Sequence, residues 1–461
     1  MKTLRARFLV SFIAPLAVAT AFAFAGELKP TAMAGGDFTV ADDSALAYSL
    51  PGPVLDAAQL VLFSAGRQEF QQRWVVMPSI GGKWGRGPTS NAEICVDCHA
   101  GNGRGHAPET GKEPLASMVV RLSIPGENAH GGPRPHPHYG DQLQNQGELG
   151  RVPPEGDASI AWNDREQKFA DGSVVLLRAP QLFISNLAFG PLGPQIMTSV
   201  RIAPGVFGAG LLDAIPEEQV IEIAEKQKAR GFNGRPNYVW NNATQSIAMG
   251  RFGWKASQPT LMQQDAFAFL NDMGVTTHLF KEENCPDIQV ACRKRPRGMI
   301  PEQPEPAFNE LLFYTRALAV PARRQVEDPE ALRGELLFAQ AQCAACHVPA
   351  LKTGDYPALP ALGNQAIHPY TDLLLHDMGD GLADGRPDFL AGPRDWRTPP
   401  LWGIGLSAKV NGNASLLHDG RARNLTEAIA WHDGEAAVSR DAFVRMQKPE
   451  REALLAFLNS L

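Results

Sequence analysis

The sequence predicts a mainly α-helical chain of two related domains, with a β insertion in the first and much irregular structure. Three observations carry that expectation. One short pattern occurs twice, as Cys95-Val-Asp-Cys98-His99 and Cys343-Ala-Ala-Cys346-His347; a helical periodicity leads into each copy; and strand-like sequence lies between them. Two thiols two residues apart add across the two vinyl groups of one haem, and the imidazole that follows meets the iron, so each pattern reads as a c-type haem attachment site. Two covalently bound c-type haems (iron) are therefore expected, on Cys95, Cys98 and His99 and on Cys343, Cys346 and His347, in two cytochrome c-like haem domains. A redox or zinc Cys-x-x-Cys pair with an accidental histidine is the plainer reading of one copy; a second copy with its own histidine weighs against it. The 44 Gly and 37 Pro among 461 residues point to loop-rich structure, and with 44% hydrophobic residues they do not signal disorder.

In chain order, residues 1–25 carry Lys2, Arg5 and Arg7, an apolar run from Phe8 to Phe24 and the exit Ala23-Phe24-Ala25. That is the plan of a secretory signal peptide, which places a mature protein starting near Gly26 in the periplasm; an uncleaved membrane anchor is the alternative. No later stretch is long and apolar enough to span a bilayer, so no integral span is expected after signal removal. From about Ala41 to Trp74 the pattern is helical. Between residues 113 and 180, residues 117–123 and 173–178 read as strands, with Asp171-Gly172 as a hairpin turn. The loop His130-Gly-Gly-Pro-Arg-Pro-His136-Pro-His138-Tyr139 has room to fold over a haem edge, although each histidine alone reads as a solvated loop residue.

A weak internal repeat follows. Arg201-Ile-Ala-Pro-Gly-Val-Phe-Gly-Ala-Gly-Leu211 echoes Arg397-Thr-Pro-Pro-Leu-Trp-Gly-Ile-Gly-Leu406, and each precedes a Gly-Arg element and an Ala-rich helix, at 250–270 and 420–431. The boundary is expected in Pro-rich ground between Pro301 and Asp328, with residues 308–320 as one connecting helix. That gives an N-terminal domain over 26–320, its β insertion at about 113–180, and a C-terminal domain over 328–461. In the latter, Asp328 caps and Pro329 opens a helix whose Leu332, Leu336 and Phe338 offer an apolar face.

Loss of the leader removes three positive charges and no negative one, moving the formal net charge from −6 to −9. Haem propionates would add to it. Such a balance argues against a nucleic-acid partner and suits a basic redox partner protein, a small electron-carrier cytochrome or copper protein. Cys285 and Cys292 remain, read as a disulfide closing a short loop, with a free redox pair as the alternative.

Tyr370-Thr-Asp-Leu-Leu-Leu-His376-Asp-Met-Gly379, Arg397-Thr-Pro-Pro-Leu-Trp-Gly and Leu417-His418-Asp-Gly-Arg421 resemble the di-haem oxidoreductase family, as do Cys98-His99-Ala-Gly-Asn-Gly-Arg104 and Gly250-Arg-Phe-Gly-Trp-Lys255. Members carry peroxidase or thiol oxidoreductase labels. The family is similar to the bacterial di-haem cytochrome c peroxidases and to the di-haem enzyme that matures tryptophan tryptophylquinone. The resemblance covers nearly all of the mature chain. It implies a C-terminal haem that transfers electrons and an N-terminal haem that binds peroxide or another substrate. A strong sixth ligand favours the first task and an open position the second.

The same resemblance implies His432 as sixth ligand of the C-terminal haem, since the peroxidases use a methionine fourteen residues after a histidine that corresponds to His418. Their distal glutamate corresponds to Gln263, with Gln264 next; glutamine orients peroxide but cannot shuttle a proton. No match is found for the tryptophan that bridges their haems. His99 is expected to be the one strong ligand of the N-terminal iron, with His130, His136 or His138 as the capping ligand otherwise. His376 and His418, each followed by Asp, are expected to hydrogen-bond haem propionates, with iron ligation or proton shuttling as alternatives. A peroxidase-like oxidoreductase is thus the leading expectation. The alternatives are electron transfer without catalysis, oxidation of a protein or metal substrate, and thiol chemistry at Cys285 and Cys292.

Overall fold

Helix α1, Ala57–Phe70, begins at Asp56, whose carboxylate accepts the Gln59 N–H while the Gln59 side chain accepts the Asp56 N–H. Pro51, Gly52 and Pro53 stand just before that capping box, which is why the helical pattern expected from Ala41 becomes a helix only here. The computed structural model describes residues 30–78, 80–110, 113–296 and 299–461. The leader expected at 1–25 and the start near Gly26 lie outside them.

Four strands follow the first cysteine pair: β1 (Met118–Glu127), β2 (Asp157–Lys168), β3 (Val174–Ser185) and β4 (Met197–Ile202). β1 and β4 are antiparallel, from Met118↔Ile202 to Ser123↔Met197. β2 and β3 form a long hairpin, from Asp157↔Ser185 to Lys168↔Val174. Its turn uses the expected pair: Gly172 takes φ +82°, which glycine allows without strain, and the Ser173 N–H donates to the Asp171 carboxylate. Further strands are short: Pro133–Arg134 adds to the edge of β1, and the rest form two-stranded pairs along both halves, more strand than one insertion in a mainly α chain would supply.

Five more helices position the sites. α2 (Leu261–Met273) is capped by Thr260 and ends on the left-handed Gly274. α3 (Glu305–Ala317) buries Phe308, Leu311, Leu312 and Tyr314; it starts three residues before and stops three residues short of the helix expected at 308–320, and it packs on α1. α4 (Pro329–Gln340) starts at Asp328 as expected, the carboxylate accepting the Glu330 and Ala331 N–H groups. α5 (Leu425–Ala430) is capped by Asn424, and α6 (Lys448–Ser460) packs on α4.

The α1–α3 and α4–α6 pairs share one construction. A Cβ at Gly66 would lie 2.0 Å from the Glu310 carbonyl oxygen, and one at Gly334 would lie 1.9 Å from that of Ala453. Only glycine permits backbones that close. One turn later, Phe70 and Phe338 turn to the motif histidines, with ring centres 6.2 Å from His99 and 6.4 Å from His347.

The hydrophobic core does not divide at the expected boundary. One cluster joins α1, α2 and α3 to Leu351, Ile367 and Leu374 of the second half. Another joins the strands to Trp254, Trp396 and Trp431. Arg178 on β3 donates to the carbonyls of Gly420 and Arg421, and Arg423 to that of Leu176. The β segment, expected as part of the first domain, therefore packs against the second half as well. No helix among the described residues is long and apolar enough to cross a membrane.

Candidate functional site

A cavity of about 290 Å³ lies behind Cys95 and Cys98. A single helical turn, Cys95–Cys98, delivers His99 to its wall. α2 lines another side through Leu261, Gln264, Asp265, Ala268 and Asp272, spaced three or four apart and so on one helix face. Burial lowers the pKa of His99 and keeps the imidazole neutral, the form that binds metal. It is the one imidazole lining this cavity among the described residues. Burial also raises both thiols, Cys98 to about 12. A redox or zinc pair needs the opposite shift.

The second cavity, of about 160 Å³, sets His347 across from His432. Each ring is fixed by its Nδ1: His347 bonds the Tyr370 carbonyl at 2.9 Å and His432 the Ala428 carbonyl at 2.7 Å. With Nδ1–H donating, the Nε2 lone pair of each ring is left as a ligand. The ring centres are 6.5 Å apart. Imidazoles standing about 2 Å on either side of one metal put their centres roughly 6 Å apart. Burial holds His347 down to about 4 and lowers His432 too, so both are neutral near pH 7. Cys343 is pushed up to about 12 by burial, and Cys346 is also raised.

His376 and His418 line the same cavity. His376 places Nε2 2.9 Å from Asp372 and Nδ1 3.1 Å from Glu435. Burial pulls its pKa down, but the Asp372 charge and hydrogen bond, with help from Glu435, outweigh burial and the net shift is upward. Both nitrogens are taken, so none is left for the propionate expected there, which the two carboxylates would also repel. Cys346, Asp372 and His376 bring donor atoms within 4.8 Å of one another, a spacing that suits a metal ion, yet the imidazole is already held as a cation. His418 stacks on Trp396 at 3.6 Å and faces Asp419 at 3.3 Å.

Between the cavities stands a shared wall of Arg104, Trp254, Arg397, Pro399, Pro400 and Ile404. Arg104 donates to the Leu417 carbonyl, and Arg397 to those of Gly253 and Thr398. Neither guanidinium has a carboxylate within ion-pair distance among the described residues, Arg104 Nε has no acceptor, and burial lowers both pKa values to about 10. Buried cations without anions are costly. Haem propionates are anions of the kind this wall lacks, and cysteine pairs, neutral imidazoles and apolar walls complete the fit. Trp254, fixed by donating to the Ile202 carbonyl at 2.7 Å, is an aromatic ring touching both cavities.

Other expected residues lie elsewhere. Gln263 points away from the first cavity: its amide accepts from the Asn242 N–H and donates to the Trp240 carbonyl and Gln258. One position along a helix rotates a side chain by about 100°, so Gln264 lines the cavity and Gln263 the hairpin beside it. His130 stacks on Trp240, while His136 and His138 bond the Leu192 and Phe189 carbonyls; none lines either cavity. Cys285 and Cys292 are paired. Arg104, Trp254 and Arg397 sit in runs that stand out by their pattern, but nothing in the sequence brings those runs together; Asp265 carries no motif.

A family described as "Di-haem oxidoreductase, putative peroxidase" matches residues 30–461. No curated protein matches the chain. Among solved structures, hydrazine synthase of Kuenenia stuttgartiensis, pressurised with 20 bar xenon, is similar at a TM-score of 0.36 and 13% identity, over 97% of this chain and 100% of that one.

Proposed function

Because the chain belongs to the di-haem oxidoreductase family, we propose that it is an exported, periplasmic di-haem c-type cytochrome acting as a peroxidase-like oxidoreductase. Cys343, Cys346, His347 and His432 hold the electron-transfer haem in the C-terminal domain. Cys95, Cys98 and His99 hold the catalytic haem in the N-terminal domain. The observation that carries this division is the asymmetry of imidazoles: two neutral rings 6.5 Å apart in the second cavity and, among the described residues, His99 as the one imidazole lining the first. When bound, the haem held by His347 and His432 would supply electron transfer, and the one held by His99 would supply peroxide chemistry.

The chain's own groups supply the rest. His347 and His432 present their Nε2 atoms because backbone carbonyls hold Nδ1. Arg104 and Arg397 anchor propionates at the shared wall, and Trp254 offers a short aromatic path between the haems. Gln264 orients peroxide in the first cavity. Export rests on the leader pattern of residues 1–25, and the negative net charge favours a basic electron carrier as donor.

The test is production in a host that matures c-type cytochromes, followed by mass spectrometry and a peroxide assay. Two thioether-linked haems, loss of the leader and peroxide-dependent oxidation of a reduced small cytochrome are expected. A protein that binds two haems but leaves peroxide untouched is an electron carrier instead.

A further inference from the structure

α2 carries a carboxylate into the first cavity where sequence correspondence offers only amides. Asp265 lies one turn after Leu261 on the cavity-lining face, beside Gln264 and one turn before Ala268, whose small side chain leaves room over the cavity. We propose that Asp265 is the proton-transfer residue of the first cavity, moving a proton between the two oxygens of a bound peroxide. This rests on the peroxidase-like reading above.

The hydrogen bonding is built for two protonation states. Thr315 Oγ1, on α3, lies 2.8 Å from Asp265 Oδ2 and 3.1 Å from the Leu312 carbonyl oxygen. When the carboxylate is ionised, the Thr315 hydroxyl donates to it. When it is protonated, its O–H donates to Thr315 and the threonine hydrogen turns to Leu312. No heavy atom has to move. Among the described residues no cation forms an ion pair with Asp265, so neither state is locked. The charged groups facing it are Arg316 on α3 and Asp213 at the end of the Ala209–Asp213 turn; Cys95 faces it from the motif turn and has no thiol proton once linked to haem. Burial outweighs the Thr315 hydrogen bond and Arg316, and raises the pKa to about 7, so both states are populated near neutrality.

Asp265 takes the proton from one peroxide oxygen and returns it to the other, which leaves as water as the O–O bond breaks. Over a cycle, hydrogen peroxide gains two electrons, from the carrier protein through the second site, and two protons from solvent. Two waters form and Asp265 is regenerated.

Asp265→Asn, Asp265→Glu and Thr315→Val should be compared with the natural protein, each with both haems loaded, by stopped-flow reaction with peroxide and with cyanide as a function of pH. Cyanide arrives as the acid and must lose a proton on binding, so it reports the proton acceptor without turnover. The natural protein is expected to show an inflection near pH 7 for both ligands. Asp265→Asn should lose it and react with peroxide roughly 10²–10⁴-fold more slowly; Asp265→Glu should restore an inflection; Thr315→Val, which removes the donor to the ionised form, should move the inflection upward. An unchanged profile in Asp265→Asn overturns the proposal while leaving the peroxidase-like reading intact. If that variant does not fold, an unmoved inflection in Thr315→Val overturns it equally. A natural protein that binds neither ligand removes both the reading and the proposal.

Discussion

His432 reaches the second cavity because Asn424 starts a six-residue helix whose end sets the ring against the Ala428 carbonyl. The ring caps the last turn of the helix through Nδ1 and also faces His347 across the cavity. His432→Ala should turn the C-terminal haem high-spin and open it to cyanide, leaving haem content unchanged; a retained low-spin signal would pass the ligand role to another side chain. Glu155 bears on stability instead. It is buried, and burial raises it to about 8 from 4.5 although Gln289 and the Gln144 N–H donate to it. The folded state therefore holds a proton that the unfolded state has released, and the stability this contributes is complete below pH 4.5 and lost as pH rises to about 8. Glu155→Gln should flatten the fall in melting temperature over that window, an effect of a few kcal/mol in order of magnitude. Parallel curves for the two proteins would show that Glu155 is ionised in the fold.

Among the elements, the two helix pairs make the sharpest claim. Gly66→Ala and Gly334→Ala each push a methyl group into a carbonyl oxygen across the crossing, and overpacking of that kind costs about 1–3 kcal/mol. Both should lower the melting temperature, and both should disturb the nearby haem, because Phe70 and Phe338 lie one turn on. An unshifted transition in either variant would mean that the helices part freely. α4 was legible in the sequence because Asp328 and Pro329 are strong local signals, and the β2–β3 turn because Asp-Gly is one. The first half of the 41–74 pattern misled because apolar spacing outlasts the point where Pro51 and Pro53 forbid a helix. Which face of α2 lines the cavity was not legible: Gln263 and Gln264 differ by one step of rotation, and only the packing of the Tyr238–Asn241 hairpin strand on one side decides between them. Asp265 was missed for the same reason.

The whole molecule joins its halves through shared walls. The β segment closes over elements of the second half, and Arg104, Trp254 and Arg397, distant in sequence, meet between the cavities. A two-site oxidoreductase needs that contiguity, since electrons taken up at one haem must reach the other. It also needs the sites to differ, and among the described residues the difference comes down to His432 in one cavity and no second imidazole lining the other. Electron paramagnetic resonance of the oxidised holo-protein tests that difference most directly. One high-spin and one low-spin ferric signal of equal weight are expected, with cyanide converting only the high-spin one. Two low-spin signals that ignore cyanide would contradict the account.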